Sequence, residues 1–97
     1  MTSRIGISSK EDEIRHALRG VIDPEIGLSV VDVGLIYGIR VDDGIAVVRM
    51  TTTTRGCPAT QYLVDAVRRR ALDTGISEDV EVRLTYDPPW SPDMMAT

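Results

Sequence analysis

Apolar residues recur at helical spacing in two segments of the chain. The first segment places them at i, i+3, i+4, i+7 and i+8, namely Ile14, Ala17, Leu18, Val21 and Ile22. The second carries a similar stripe in Ala59, Tyr62, Leu63, Ala66, Val67 and either Ala71 or Leu72. Both patterns predict amphipathic helices that bury one face.

Local signals predict where these helices begin and end. Capping patterns at Ser8 and Ser9 begin the first helix, and Pro24 predicts that it ends near Val21 or Ile22. The second helix is expected to begin at Pro58, because proline suits the first helical position.

Alternation with a period of two predicts three strands. Residues 35–41 and 45–51 are joined by Asp43-Gly44, a strong type I′ hairpin signal. Residues 80–86 alternate without a break and predict a third strand. Ser29–Val33 is short and rich in β-branched residues, so we expect it to be extended.

The order helix, hairpin, helix, strand predicts an α+β fold in two layers. A three-stranded mixed sheet with two helices on one face would bury both stripes. We expect one domain over residues 1–97, with a flexible arm at 1–7 and a Pro-rich tail at 87–97.

Composition and charge narrow the classes of function. A net charge of −4 argues against a nucleic-acid surface. No apolar run has the length of a signal peptide or a membrane span, so we expect no membrane association. A lone cysteine fits a reducing compartment, and we predict a cytoplasmic protein. Because the core has no Phe, a homodimer would add to its stability.

Cys57 is the first candidate for chemistry. It lies between Gly56 and Pro58, at the predicted helix N-cap, where backbone N–H groups and the helix dipole favour a thiolate. A thiolate binds soft metals or attacks electrophiles. The alternative is a small buried core residue.

Polar residues elsewhere form two further candidate sets. The carboxylates of Asp23, Glu25 and Asp32 either line a site or satisfy turns. The hydroxyls of Thr51 to Thr54 form the second set, which either hydrogen-bonds to neighbouring strands or, through Thr53 or Thr54, supports Cys57.

The tail residues Trp90, Met94 and Met95 are the last candidates. They either pack back on the domain or form a docking patch for a partner.

The available residues favour ligation over catalysis. His16 is the only histidine and has no identifiable orienting partner, so Cys57 lacks a general base and we expect no catalytic residues and no enzyme. Zinc-ligand spacing is absent. One thiol cannot hold an iron–sulfur cluster alone, although two chains, or a chain and a client, could share one.

Taken together, four motifs in order resemble the SufT/PaaD-like metal–sulfur cluster assembly family, within the iron–sulfur cluster assembly domain superfamily. They are Asp23-Pro24-Glu25-Ile26, Val31-Asp32-Val33-Gly34-Leu35-Ile36-Tyr37, Met50-Thr51 through Gly56-Cys57-Pro58, and Tyr86-Asp87-Pro88-Pro89-Trp90-Ser91-Pro92-Asp93-Met94. Arg55 departs from the family pattern, and its charge would further favour a thiolate at Cys57.

The resemblance implies an accessory factor for iron–sulfur cluster assembly or transfer, or for metalloprotein maturation. It implies that Cys57 is the key residue, as the ligand of a labile cluster or iron shared with a second chain or a client, and that Asp23, Glu25 and Asp32 lie on a shared surface near it. Thr53, Thr54, Arg55 and Gly56 complete the expected site. The expected partners are client metalloproteins or scaffold proteins.

A second hypothesis is a metal-free adaptor, or a PaaD-like helper of a metal-dependent multicomponent oxygenase, that binds its client through the tail residues Trp90, Met94 and Met95 and the hairpin. In this hypothesis Cys57 has a structural role.

Overall fold

The structure is a computed structural model that describes residues 9–56 and 58–95. Residues 1–8, Cys57 and residues 96–97 lie outside the described part of the chain. The predicted arm at residues 1–7 and the end of the predicted tail therefore cannot be compared with it.

Three strands and three helices make up the described fold. In chain order they are helix α1 (Lys10–Leu18), helix α2 (Val30–Val33), strand β1 (Ile36–Asp42), strand β2 (Ile45–Met50), helix α3 (Thr60–Asp73) and strand β3 (Asp79–Leu84), followed by a 3-10 turn at Pro92–Met94. The sheet order is β1-β2-β3, with β1 antiparallel and β3 parallel to β2. The predicted α+β class and mixed sheet are confirmed.

The core lies between α1, α3 and one face of the sheet. Ala46, Val48 and Met50 of β2 are fully buried, whereas the alternate residues Ile45 and Arg49 are exposed and Val47 is half-buried. The helices contribute Ile14, Leu18, Leu63, Val67 and Ala71 to the same cluster. The two predicted stripes therefore pack against the same face of the sheet, except for Ile22 and Tyr62, which are 45% and 58% exposed, and the opposite face stays open.

The hairpin forms as its sequence predicts. Asp43 has φ 51° and Gly44 has φ 80°, so both central residues are in the left-handed region that a type I′ turn requires.

Helix α1 ends earlier than predicted, at Leu18. The predicted capping at Ser9 is correct, since its side chain accepts a hydrogen bond from Asp12 N at 3.1 Å. After Gly20, which disfavours helix, Val21 O accepts from Val30 N and Asp23 N donates to Leu28 O. Pairing between the two arms of this loop replaces the last predicted helical turn.

The predicted extended segment at Ser29–Val33 is wrong, because residues 30–33 form α2. The Ser29 side chain accepts from Asp32 N at 3.0 Å and so caps the helix. Gly34, with φ 88°, ends it. Caps at both ends override the β-branched preference of the valines.

A break in register at Tyr37 changes the predicted face of β1. Ile36 pairs with Met50 and Gly38 with Arg49, which leaves Tyr37 as an extra residue. The predicted alternation of Leu35, Tyr37, Ile39 and Val41 on one face is therefore wrong at Tyr37. Its hydroxyl instead donates to Pro88 O at 2.7 Å.

Glu11 joins α1 to the outer edge of β1. Its Oε2 accepts from Val41 N at 3.2 Å. The backbone N–H of Glu11 itself and that of Val41 lower the pKa of this carboxyl from its ordinary value of 4.5.

Glu11→Gln should make the fold less sensitive to acid. A lowered native-state pKa stabilises the fold above the unfolded-state pKa, and this stabilisation is lost as pH falls through the native value. We expect the variant to unfold at lower urea concentration than the wild type at neutral pH, and the gap to close below about pH 4.5. Glu13→Gln, in the same turn, is the control. An equal loss in both variants, or a gap that persists in acid, would contradict the assignment.

Candidate functional site at one edge of the sheet

Several chain segments meet at the edge of the sheet where β2 and β3 end. These two strands are parallel, so residues 51–56 after β2 and residues 85–91 after β3 leave the sheet at the same edge. Strand β1 is antiparallel and begins there. The carboxyl edge of parallel strands is where ligand sites form in α/β sheets.

Thr51 and Thr52 fix the first of these segments. Both are buried, with exposures of 0% and 1%. Thr51 N donates to Leu35 O at 2.9 Å, and this bond continues the contact between β2 and the start of β1. The loop after β2 therefore begins from a rigid base.

Tyr86 connects the two segments. Its hydroxyl and Thr52 Oγ1 lie 2.7 Å apart, and Thr52 Oγ1 is also 2.7 Å from Thr54 O. The guanidinium carbon of Arg55 lies 4.6 Å from the centroid of the Tyr86 ring, a cation–π contact. We call Thr52, Arg55 and Tyr86 the Tyr86 network.

Sequence reasoning missed Tyr86 as a site residue, and it included Thr52 only in the run Thr51 to Thr54, without a role of its own. The parallel pairing of β2 with β3 explains why these residues meet. Met50 pairs with Leu84, so the residues two positions further along each chain segment, Thr52 and Tyr86, lie opposite each other. That register is a tertiary property that neither strand encodes alone.

The remaining predicted loop residues are open to solvent to differing degrees. Thr53 is half-buried, and Thr54, Arg55 and Gly56 are exposed. Gly56 has φ 70°, and no atom lies within 4 Å of the place where a Cβ would be. A left-handed residue with free space around it keeps the backbone accessible here.

The predicted start of the second helix is wrong by two residues. Pro58 and Ala59 form a turn, and α3 begins at Thr60 with Ala59 as its N-cap. Ala59 O accepts from Leu63 N at 2.9 Å, the first bond of the helix. Ala59 therefore occupies the N-cap position, and Cys57, for which that position is predicted, lies outside the described residues.

Asp23 satisfies a turn within its own loop. It is only 2% exposed, and its Oδ1 accepts from Glu25 N at 2.8 Å. Its carbonyl accepts from Ile26 N and Gly27 N. Glu25 is exposed at the tip of this loop.

Asp32 forms a surface ion pair with Arg19. Its Oδ1 lies 3.2 Å from Arg19 Nη1, and the two side chains are 39% and 57% exposed. Within residues 9–56 and 58–95, neither Asp23 nor Asp32 hydrogen-bonds to the Tyr86 network. In the same ranges no three Asp, Glu or His side chains are grouped as metal ligands.

The tail packs back onto the domain. Trp90 is half-buried, and its Nε1 donates to Val33 O at 2.8 Å. Met94 contacts the Tyr37 hydroxyl through Sδ at 3.6 Å. Met95 is half-buried. These contacts match the first of the two tail arrangements, and a partner-binding role for the three residues stays a prediction.

Comparison with known proteins identifies relatives along most of the chain. Residues 11–84 match the family model described as iron–sulfur cluster assembly protein. The Fe-S protein maturation auxiliary factor YitW of Bacillus subtilis is 38% identical over 87 residues, which are 89% of this chain and 85% of that protein. The Fe-S protein maturation auxiliary factor SufT of Staphylococcus aureus is 42% identical over 77 residues, 78% of this chain and 88% of that protein.

A solved structure and a longer relative extend this result. The crystal structure of a domain of unknown function from Bacillus anthracis matches with a TM-score of 0.85 and 34% identity, over 90% of this chain and 84% of that one. A putative component of the 1,2-phenylacetyl-CoA epoxidase of Escherichia coli is 36% identical over 86% of this chain, which spans 50% of that protein. The predicted SufT/PaaD-like resemblance is confirmed. No helix in the described ranges is long and apolar enough to cross a membrane.

Gly34→Ala should destabilise the fold and release the tail. A Cβ at this position would collide with the carbonyl of Met94, and the positive φ adds a penalty of roughly 1–2 kcal/mol. Gly27→Ala is the matched control, because Gly27 has φ 81° with nothing within 4 Å. Urea unfolding followed by the fluorescence of Trp90, the single tryptophan, measures both effects. Equal losses with unchanged native emission would contradict the packing of the tail on Gly34.

Removing the Tyr86 hydroxyl should loosen the loop after β2. Tyr86→Phe deletes the contact to Thr52, and we expect a cost of about 1 kcal/mol in unfolding free energy. A double-mutant cycle with Thr52→Val isolates their coupling. Tyr62→Phe, on an exposed ring, is the control. A coupling energy of zero would contradict the network.

Proposed function

The chain belongs to the iron–sulfur cluster assembly protein family, and from this membership we propose that it is an accessory factor in iron–sulfur cluster assembly or transfer, with Cys57 as a ligand of the cluster it handles. The cluster is cargo and not a resident cofactor. The names of YitW and SufT as maturation auxiliary factors support such a role.

The observation that carries the proposal is the loop that leads to Cys57. Its base is fixed by buried Thr51 and Thr52, whereas Thr54, Arg55 and Gly56 are exposed. A rigid base with an exposed end suits a residue that must meet a second macromolecule without unfolding the domain.

The side chains near this loop favour ligation over catalysis. The Arg55 guanidinium is two residues from Cys57 in sequence, and a nearby cation favours the thiolate that binds iron. Fe–S clusters usually need four ligands, so one thiol per chain leaves coordination positions for a client, a scaffold protein or a second copy. A cluster held in this way is labile, as transfer requires.

The three carboxylates have supporting roles in this proposal. Asp23 holds the turn that presents Glu25, and Asp32 ties α2 to α1 through Arg19. Neither is proposed as a direct ligand.

A second candidate is the metal-free adaptor. A concavity of about 580 Å³ lies beside the tail, with Tyr37, Pro88 and Met94 among its lining residues. A client side chain bound there would involve the tail without using Cys57.

Cys57→Ser should abolish the proposed function. In cells that depend on this protein, we expect an assayable [4Fe–4S] dehydratase to lose most of its activity and to regain it when extracts are repaired with iron and sulfide. Ser91→Ala is the control for a conservative change at the same edge. Undiminished client activity with the serine variant would refute the ligand role.

Anaerobic incubation with iron and sulfide separates the two candidates. Iron–sulfur chromophore formation that requires Cys57 supports the carrier, and its absence with wild-type protein, including in the presence of a client, supports the adaptor. Met94→Ala should then impair client binding only if the adaptor candidate is correct.

A further inference from the structure

The open face of the sheet carries a concentration of arginines. Cross-strand pairing aligns Gly38 with Arg49 and Arg49 with Arg83. The next row along the same face aligns Arg40 with Val47 and Val47 with Glu81. Paired residues of neighbouring strands project from the same face, so three guanidinium groups share this surface.

The arginines surround a shallow concavity of about 280 Å³. Its lining residues are Gly38, Ile39, Arg40, Val47, Arg49 and Arg83. At Gly38 no atom lies within 4 Å of where a Cβ would be, and its φ is not in the left-handed region. The backbone conformation therefore does not require glycine at this position. Because Gly38 has no side chain, it leaves space beside Arg49 in the same cross-strand row.

A second concavity, at the start of β1, shares one lining residue with the first. Arg49 lines both, and the second adds Arg15 of α1 together with Gly34 and Tyr37. No carboxylate is among the described residues that line these two concavities, but Glu81 lies in the same cross-strand row as Arg40, and Asp42 lines an adjoining concavity with Arg40, Val47 and Arg83. We call Arg15, Arg40, Arg49 and Arg83 the arginine band.

Most of this positive charge has no partner within the described residues. Arg83 Nε contacts Glu81 Oε2 at 2.6 Å, an exposed pair. Arg15, Arg40 and Arg49 make no ion pair or side-chain hydrogen bond in residues 9–56 and 58–95. By contrast, Arg19, Arg68 and Arg70 bind an Asp carboxylate or a backbone carbonyl.

We propose that the arginine band binds an extended acidic segment of a partner protein. Arginines pair with carboxylates through two parallel hydrogen bonds. Diagonal neighbours on adjacent strands, such as Arg40 and Arg49, lie roughly 7–8 Å apart. An extended peptide places alternate side chains about 6.7 Å apart, so successive carboxylates match this spacing. A single small anion would not span the band.

This surface is distinct from the Tyr86 network and does not depend on the proposed role of Cys57. The arginines lie on the open face of the sheet and around Arg49, whereas the network lies beyond the ends of β2 and β3. Binding of an acidic segment is therefore expected to survive Cys57→Ser, which allows the two proposals to fail separately.

Fluorescence anisotropy with a labelled hexaglutamate peptide and the full chain tests the proposal. We expect saturable binding that weakens with added salt, and no binding of hexaglutamine. Arg49→Glu combined with Arg40→Glu should weaken binding at least tenfold. Arg69→Glu is the control for overall charge, because Arg69 is exposed on α3, away from the arginine band. This variant alone should leave the affinity for the peptide within about twofold. Adding Arg15→Gln to it tests the second concavity and should lower the affinity further.

Other outcomes would overturn the proposal. They are equal weakening by Arg69→Glu alone, equal binding of hexaglutamine, or displacement of the peptide by inorganic pyrophosphate at lower concentration than by unlabelled hexaglutamate. Self-association that disappears in the Arg40/Arg49 variant would assign the face to a second copy of the chain instead. Arg49→Gln, which adds no negative charge, repeats the test if the double variant unfolds.

Discussion

The parallel pairing of β2 with β3 is the interaction on which the rest of the structure depends. A parallel pair needs a crossover, and α3 supplies it by packing on one face of the sheet. The same pairing sends both strands out at one edge, where Thr52 meets Tyr86. Because α1 packs on the same face as α3, the opposite face stays open and carries Arg40, Arg49 and Arg83. The parallel pairing of β2 with β3 thus determines both where the loop before Cys57 lies and which face of the sheet stays open.

Features that depend on neighbours in sequence could be predicted from sequence. The helical stripes place Ile14, Leu18, Leu63 and Val67 in the core because a period near 3.6 selects one face whatever the partner. Asp43-Gly44 predicts its turn because few residue pairs tolerate two successive positive φ values. The mixed sheet follows from these elements, since a hairpin followed by a helix and a strand has few ways to bury both stripes.

Features that depend on contacts between distant segments could not be predicted in this way. Residues 30–33 are a different case, because the caps at Ser29 and Gly34 are local signals that outweigh the strand preference of the valines. Alternation predicts Tyr37 as a core residue of β1, but a register break turns it toward Pro88, 51 positions away. The Tyr86 network could not be predicted for the same reason. The resemblance of four motifs identified the family correctly, because it combines information from distant parts of the chain. Secondary-structure propensity, in contrast, considers each segment alone.

The tail connects the Tyr86 network with the arginine band. It leaves β3 beside Tyr86, crosses to Val33 through Trp90, and reaches Gly34 and Tyr37 through Met94. The concavity it borders there is the one that shares Arg49 with the arginine band. A partner segment bound along the arginine band would therefore contact the tail. The tail follows directly after Tyr86, the residue that contacts Thr52 at the base of the loop before Cys57. Both proposed surfaces therefore rest on one packed tail, although neither proposal requires the other.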